Sequence, residues 1–284
     1  MKAHLLLALA VALLAAAGAA LWALLIWRRR PPRRRRRRRP ARPRHPVLLV
    51  HGLLGFDEIS LGSTTHAYFR GVPEALAKDG QVVHVARVAP LSAVASRARQ
   101  LARQIQSLGA RKVNVVAHSM GGLDARYAIS RLGLARGVAG LLTVGTPHRG
   151  TPLADLSADL AVRLGIARAL AAGGASLGAL ADLTTAALAR FNVEVADDPS
   201  VAYLSAVGYV RRKRRAHPLL VPSYLWLRRT AGDNDGVVPA ASQRWGEVVA
   251  EVEADHWAQV GWSRHFDAPA FYVGLLRELR ALGC

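Results

Sequence analysis

The sequence predicts an α/β fold: a mostly parallel sheet flanked by helices, with a helical insertion and an apolar N-terminal segment. Two observations carry this. From Pro46 onward, short apolar β-rich runs alternate with helical patterns, the signature of strands covered by crossover helices. Most of the candidate strands are apolar throughout rather than alternating, as strands buried on both faces must be. The chain has 284 residues, 51% of them hydrophobic. That suffices for one sizeable core and is short for two.

Leu5 to Trp27 is an unbroken run of 23 apolar or small residues. At the helical rise it covers about 34 Å, enough to cross a bilayer. Arg28–Arg30, Pro31, Pro32, Arg33–Arg39, Arg42 and Arg44 follow. Residues 1–44 hold 13 Lys or Arg and no acid, so the net charge of +20 falls to +7 for the remaining 240 residues. The basicity therefore belongs to one tract, not to the fold.

Three readings compete for this segment. Lys2 and the Ala-Gly-Ala at 17–19 suit a signal peptide, but the apolar run exceeds a signal core, and ten arginines after it oppose translocation. The expectation is a retained anchor over residues 1–27, an Arg/Pro-rich linker over 28–45, and a body over 46–284. With one Lys before the span and twelve Arg after it, the charge rule places the body on the cytoplasmic side of the inner membrane. The arginines read as a topology signal with affinity for anionic headgroups. A nucleic-acid arm fits less well, because no aromatic residues interleave them to stack on bases.

In the body, candidate strands are Val47–His51, Val82–Val88, Val113–Ala117, Gly140–Gly145, Tyr224–Thr230 and Val248–Val252. Candidate helices are Gly71–Lys78, Val94–Leu108, Gly122–Leu132 and Ala268–Leu282. Between about 151 and 222 the alternation dissolves into Ala- and Leu-rich pieces such as "ADLAVRLGIARALAAGGASLGALADL", expected to be a helical insertion. "RRKRR" at 211–215 reads as an exposed loop, with contact to anionic lipid as a second reading.

"VNVVAHSMGGLDARY" (113–127) places Ser119 between a strand and a helix. A nucleophile on such a turn needs very small residues two positions away on each side, and Ala117 and Gly121 supply them. The plainer alternative is a helix cap. A serine hydroxyl needs a base, and the base an orienting acid, in the chain order Ser, acid, His for this kind of turn. "TAGDNDGVVP" offers Asp235, with Asp233 as runner-up. "EVEADHWAQVG" offers His256, with His265 as the weaker candidate. The N–H groups of Met120 and of Leu53, in "VLLVHGLLG", are placed to form an oxyanion hole, with Gly52 and Gly55 allowing close approach. His51 and His118 read as loop supports. No metal or cofactor is expected.

The chain resembles the bacterial triacylglycerol lipases of the α/β-hydrolase fold, the Pseudomonas and Burkholderia type. The segments that carry the likeness are "PVLLVHGLLGFD", "YFRGVPEALAKDGQVVHVARV", "KVNVVAHSMGGLDARY", "TVGTPHRGTPLAD", "ALARFNVEV" and "NDGVVP". The resemblance implies a triad of Ser119, Asp235 and His256, an oxyanion hole at Leu53 and Met120, and a cap or lid in the 151–222 insertion. It also implies a lipid-ester substrate and hydrolysis through an acyl-enzyme. Thioester hydrolysis, polyester cleavage or acyl transfer would use the same residues. Two departures stand out. Ala117 replaces the usual first glycine, and Ala258 stands where that family has a calcium-ligating Asp, so no calcium of that kind is expected. Cys284 is the sole cysteine, so the family's disulfide cannot form.

Overall fold

The computed structural model describes residues 45–53, 58–61, 64–163 and 178–284. The expected anchor and most of the linker lie outside these residues. Strands β1 (Val47–Val50), β2 (Glu58–Leu61) and β3 (Thr64–Ala67) come first. They are followed by α1 (Val72–Lys78), β4 (Val83–Val85), α2 (Val94–Ser107), β5 (Val113–His118), α3 (Gly121–Arg131) and β6 (Val138–Val144). Helices α4 (Pro152–Arg163), α5 (Gly178–Asp182) and α6 (Thr185–Glu194) separate β6 from β7 (Ala202–Tyr209). Then come α7 (Val221–Thr230), α8 (Ala240–Gln243), β8 (Glu247–Glu253) and α9 (Ala268–Ala281).

Six strands form one sheet in the order β4-β1-β5-β6-β7-β8, every pair parallel. β2 and β3 form a separate antiparallel hairpin. Because side chains alternate across a strand, Leu48 and Val50 of β1 join one core, with Leu101 and Ile105 of α2 and Ala128 and Ile129 of α3. Val47 and Leu49 join the other, with Leu76 of α1 and Tyr272, Leu275, Leu276 and Leu279 of α9. Burial of each such Leu contributes about 1.5–3 kcal/mol. In α2 the buried Val94, Ala98, Leu101, Ala102 and Ile105 recur at helical spacing, which makes one stripe apolar. Asp267 caps α9 by accepting from the Ala270 N–H at 3.0 Å.

Two expectations need correction. Tyr224–Thr230 is not a strand but part of helix α7, which has Pro222 in its first turn and buries Tyr224 and Leu227, three residues apart. The strand beside β6 is Ala202–Tyr209, inside the stretch of about 151–222 expected to be a helical insertion. Its small residues, Ser205, Ala206 and Gly208, hide the usual β signal; burial between layers, not propensity, makes it a strand. The helices after β6 therefore end before β7, and a second excursion spans 211–233. Its two ends close through the Val210 N–H donating to the Asn234 carbonyl at 2.8 Å.

Since all six strands run the same way, their C-terminal ends share one edge of the sheet, where Ser119 follows β5 and Val210 follows β7. His45 and Pro46 enter β1 at the opposite edge. Among the described residues no helix is long and apolar enough to cross a membrane.

Candidate active site

Ser119 stands at the turn from β5 into α3 with φ 55°, the positive-φ residue among the described non-glycines. Left-handed backbone at a residue with a Cβ costs about 1–2 kcal/mol, so the surroundings must hold it there. They do so at both backbone ends. The Ser119 N–H donates to the Val144 carbonyl at 2.9 Å. The Ser119 carbonyl accepts from the Thr146 hydroxyl at 2.8 Å and the Gly122 N–H at 3.1 Å. The glycines are sterically required: a Cβ at Gly121 would lie 2.7 Å from the Val50 carbonyl oxygen, and one at Gly122 only 2.3 Å from the Thr146 hydroxyl. Gly52 faces the serine itself, since a Cβ there would sit 2.7 Å from the Ser119 Cβ. Ala117 is fully buried, so its methyl is accommodated where glycine was expected.

His256 Nε2 lies 3.0 Å from Ser119 Oγ, and His256 Nδ1 lies 2.7 Å from Asp235 Oδ2. Three residues far apart in sequence thus form one hydrogen-bonded relay, with Asp235 wholly buried and Ser119 and His256 only 7% and 6% exposed. The Asp235 carboxylate has further donors. Oδ1 accepts from the N–H groups of Val237 and Val238 at 2.9 and 2.7 Å, and Oδ2 from Gln259 Nε2 at 3.0 Å. The Asp235 carbonyl also accepts from the His256 N–H at 2.9 Å, tying the two loops directly. Such a set of donors holds the carboxylate in one orientation, and so aims the imidazole with its Nε2 toward the serine.

The alternatives from sequence fall elsewhere. Asp233 is exposed and pairs with Arg228. His265 is exposed near the start of α9, its N–H donating to Ser263 Oγ.

Leu53 is half-buried after β1, and Met120 is fully buried as the residue preceding α3. Neither N–H has an acceptor among the described residues, which leaves both available to an oxyanion. Leu53 and Met120 pack in one apolar cluster with Val94, Leu123, Ala154, Leu183, Leu188 and Phe191. The α4–α6 helices therefore supply apolar side chains beside the serine.

His51 and His118 support loops, as expected, but through partners the sequence did not announce. The Gly52 N–H donates to the Tyr68 hydroxyl at 3.2 Å, and the Tyr68 hydroxyl lies 2.7 Å from His118 Nδ1. Burial holds His118 well below the ordinary imidazole range, and the neighbouring His256, with ring centroids 4.5 Å apart, adds to that. His118 is thus neutral and can accept from Tyr68. Burial likewise raises the Tyr68 phenol, keeping it a donor.

Arg97 of α2 was also missed. Wholly buried, it donates to Asp124 of α3 at 2.8 Å, to the His51 carbonyl at 2.7 Å and to the Ala89 carbonyl at 3.0 Å. It therefore binds two helices to the loops after β1 and β4 and steadies the backbone just before Leu53. Burial pushes the Asp124 carboxyl up to about 7, opposed by the Arg97 charge. The signal for this pair was a cation and an acid each placed one helical turn from buried apolar residues: Arg97 before Leu101, Asp124 before Ala128.

Residues 22–187 match the sequence profile of a family described as a domain of unknown function, DUF7379, and the chain belongs to it. A triacylglycerol lipase of Pseudomonas fragi is 31% identical over 84% of this chain and 97% of its own length. A triacylglycerol lipase of Vibrio cholerae is 37% identical over 52% of this chain, which spans about half (53%) of that relative. The solved structure of a metagenomic carboxyl esterase superposes with a TM-score of 0.71 at 22% identity, covering 84% of this chain and 76% of its own, a likeness of fold. A parallel sheet with a serine on the strand-to-helix turn, and a relative matched along nearly its whole length, lead to one conclusion: this chain belongs to the bacterial triacylglycerol lipases, carboxylic ester hydrolases of the α/β-hydrolase type.

Proposed function

We propose that this protein is a membrane-anchored serine esterase that hydrolyses lipid esters. The observation that carries it is the continuous hydrogen-bonded line Ser119 Oγ, His256, Asp235 beneath a turn strained at Ser119. His256 Nε2 takes the Ser119 proton as Oγ attacks the ester carbonyl, and Asp235 stabilises the imidazolium that results. The N–H groups of Leu53 and Met120 receive the oxyanion. The imidazolium protonates the departing alcohol, and water, deprotonated by the same ring, releases the acid from the acyl-enzyme. The apolar cluster around Leu123, Leu183 and Leu188 suits an acyl chain. The α4–α6 helices, which contribute Ala154, Ala179 and Leu188 to that cluster, act as the lid.

Anchoring is supported by the 23-residue apolar run and the arginines after it, which also favour the cytoplasmic face of the inner membrane. Purified protein should turn over p-nitrophenyl acyl esters, and Ser119→Ala should lose at least about 10⁴-fold in kcat with an unchanged melting temperature. Labelling by a fluorophosphonate at Ser119 gives an independent readout. A variant that keeps its rate, or a wild type that takes no label, rejects the proposal. Applied to intact cells, a membrane-impermeant version of the probe should leave Ser119 unlabelled; labelling would place the body outside.

A further inference from the structure

The 211–233 excursion is a second feature of the active-site edge, and catalysis makes no use of it. It carries seven Lys or Arg (Arg211, Arg212, Lys213, Arg214, Arg215, Arg228, Arg229) against one acid, Asp233. Asp233 pairs with Arg228, while among the described residues Arg212, Lys213, Arg214 and Arg215 make no ion pair, and all four are exposed. Four adjacent like charges repel one another, a cost that an anionic partner would relieve.

The excursion is also firmly built. The Tyr224 hydroxyl donates to the Arg211 carbonyl at 3.2 Å, fastening α7 to the basic run. The His217 N–H donates to Asp255 Oδ2 at 2.7 Å, and the His217 ring meets Trp257 edge-on at 4.8 Å; Asp255 and Trp257 flank His256. The Ser223 hydroxyl donates to the Gly236 carbonyl at 2.6 Å, next to Asp235. The basic run is thus held beside the two loops that deliver the acid and the base. On the same excursion, α7 leaves Leu225 41% exposed and Trp226 half-buried, beside the exposed Arg228 and Arg229. Exposed Leu, interfacial Trp and flanking cations make the composition of a surface that settles into the headgroup layer.

We infer that residues 211–229 form a docking surface for an anionic lipid bilayer, which presents the active-site edge of the sheet to the membrane holding the substrate. This builds on the lipid-esterase reading and adds a contact distinct from the N-terminal segment. A soluble polyanion would meet the charges but leave Leu225 and Trp226 unused.

The test uses the full chain with Cys284→Ser, carrying a fluorophore sensitive to polarity on Lys213→Cys or, as control, on Arg111→Cys, an exposed position at the opposite sheet edge. The protein is reconstituted into vesicles of phosphatidylcholine alone or of phosphatidylcholine mixed with phosphatidylglycerol. A blue shift at 213 in the anionic vesicles only, absent at 111 and reversed by high salt, is expected. Equal signals in both vesicle types, no signal at 213, or a signal at 213 from added heparin alone would each overturn the inference.

Charge reversal in the triple variant Arg212→Glu, Arg214→Glu, Arg215→Glu provides the functional arm. Each cation near an anionic surface is worth about a factor of five in partitioning, so hydrolysis of a lipid ester in anionic vesicles should fall at least about tenfold. Turnover of soluble p-nitrophenyl butyrate should not change. Equal vesicle rates for variant and wild type would overturn the docking surface. Absence of soluble-ester turnover in the wild type would instead overturn the esterase reading, so the two failures are told apart.

Discussion

At the residue scale, the most informative contacts are those that hold the triad rather than those within it. Gln259 Nε2 donates to the same Asp235 oxygen that binds His256. Two glycines leave room for that amide: a Cβ on Gly208 would lie 2.0 Å from Gln259 Nε2, and one on Gly145 would lie 2.3 Å from Oε1. A hydrogen bond to a carboxylate is worth about 1.5–3 kcal/mol. Gln259→Leu should therefore lower kcat/KM by about 10- to 100-fold, and Gly208→Ala should reproduce the loss by pushing the amide aside. Steady-state kinetics on both variants checks this; wild-type rates in both would show that Asp235 needs no such support. A second residue-scale prediction concerns pH. His148, buried with Nε2 3.1 Å from the Thr143 hydroxyl, is held well below the ordinary imidazole range by burial, with the Arg126 and Arg149 charges adding to it. The native state leaves it neutral while the unfolded chain protonates it near 6.5, so its contribution is complete above that pH and declines as pH falls. The slope is about 1.4 kcal/mol per pH unit per group. Urea unfolding between pH 7 and 5 should show His148→Gln losing stability less steeply than wild type by about that amount; parallel slopes would refute it.

At the scale of elements, α2 and α3 owe their mutual register to a buried ion pair. Removing one member leaves the other charge buried and unpaired, at a cost of about 3–5 kcal/mol. Arg97→Met should lower the melting temperature by about 6–20 °C. It should also reduce kcat, because the His51 carbonyl loses its donor at 2.7 Å. Adding Asp124→Leu should restore most of the stability and little of the rate, which differential scanning calorimetry and kinetics would separate. Legibility in the sequence divides along similar lines. Strands β1, β5 and β6 were readable because Val and Leu make up at least half of each, β8 because Val248, Val249 and Val252 stand among its glutamates, and the Ser119 turn was readable because its steric demand selects Ala and Gly at fixed offsets. β7 was not readable. Its small residues answer to α8, whose Gln243 grips Gly208 from both sides, with Oε1 accepting from its N–H at 2.7 Å and Nε2 donating to its carbonyl at 2.9 Å. α7 was misread because "YLWL" is rich in β-formers, whereas burial at Tyr224 and Leu227 follows helical spacing. Chain order located the acid and the base. Tyr68 and Gln259 act through distant partners, and no local pattern marks them; Arg97 is marked only by its place on the buried stripe of α2.

For the whole molecule, the two faces of the sheet are closed by different helix pairs, α2 with α3 and α1 with α9. α9 is therefore one of the two helices that close one core, to which it gives Ala268, Tyr272, Leu275, Leu276 and Leu279. Leu276→Ala in α9 should cost about 2–5 kcal/mol in chemical denaturation without altering the geometry at Ser119. Loss of less than about 1 kcal/mol would mean that α9 is dispensable. The direction in which the chain enters the body has a mechanical meaning if residues 5–27 are embedded in lipid. A tether fastened at His45 pulls on the floor of the enzyme and leaves its mouth turned toward solvent. For the mouth to graze the bilayer, the body must somersault on its leash. The 17 residues from Arg28 to Arg44 reach at most about 60 Å when taut, against a body about 45 Å across. Cutting that leash by half should strand the enzyme upside down, still able to consume dissolved esters but starved of those in the membrane beneath it.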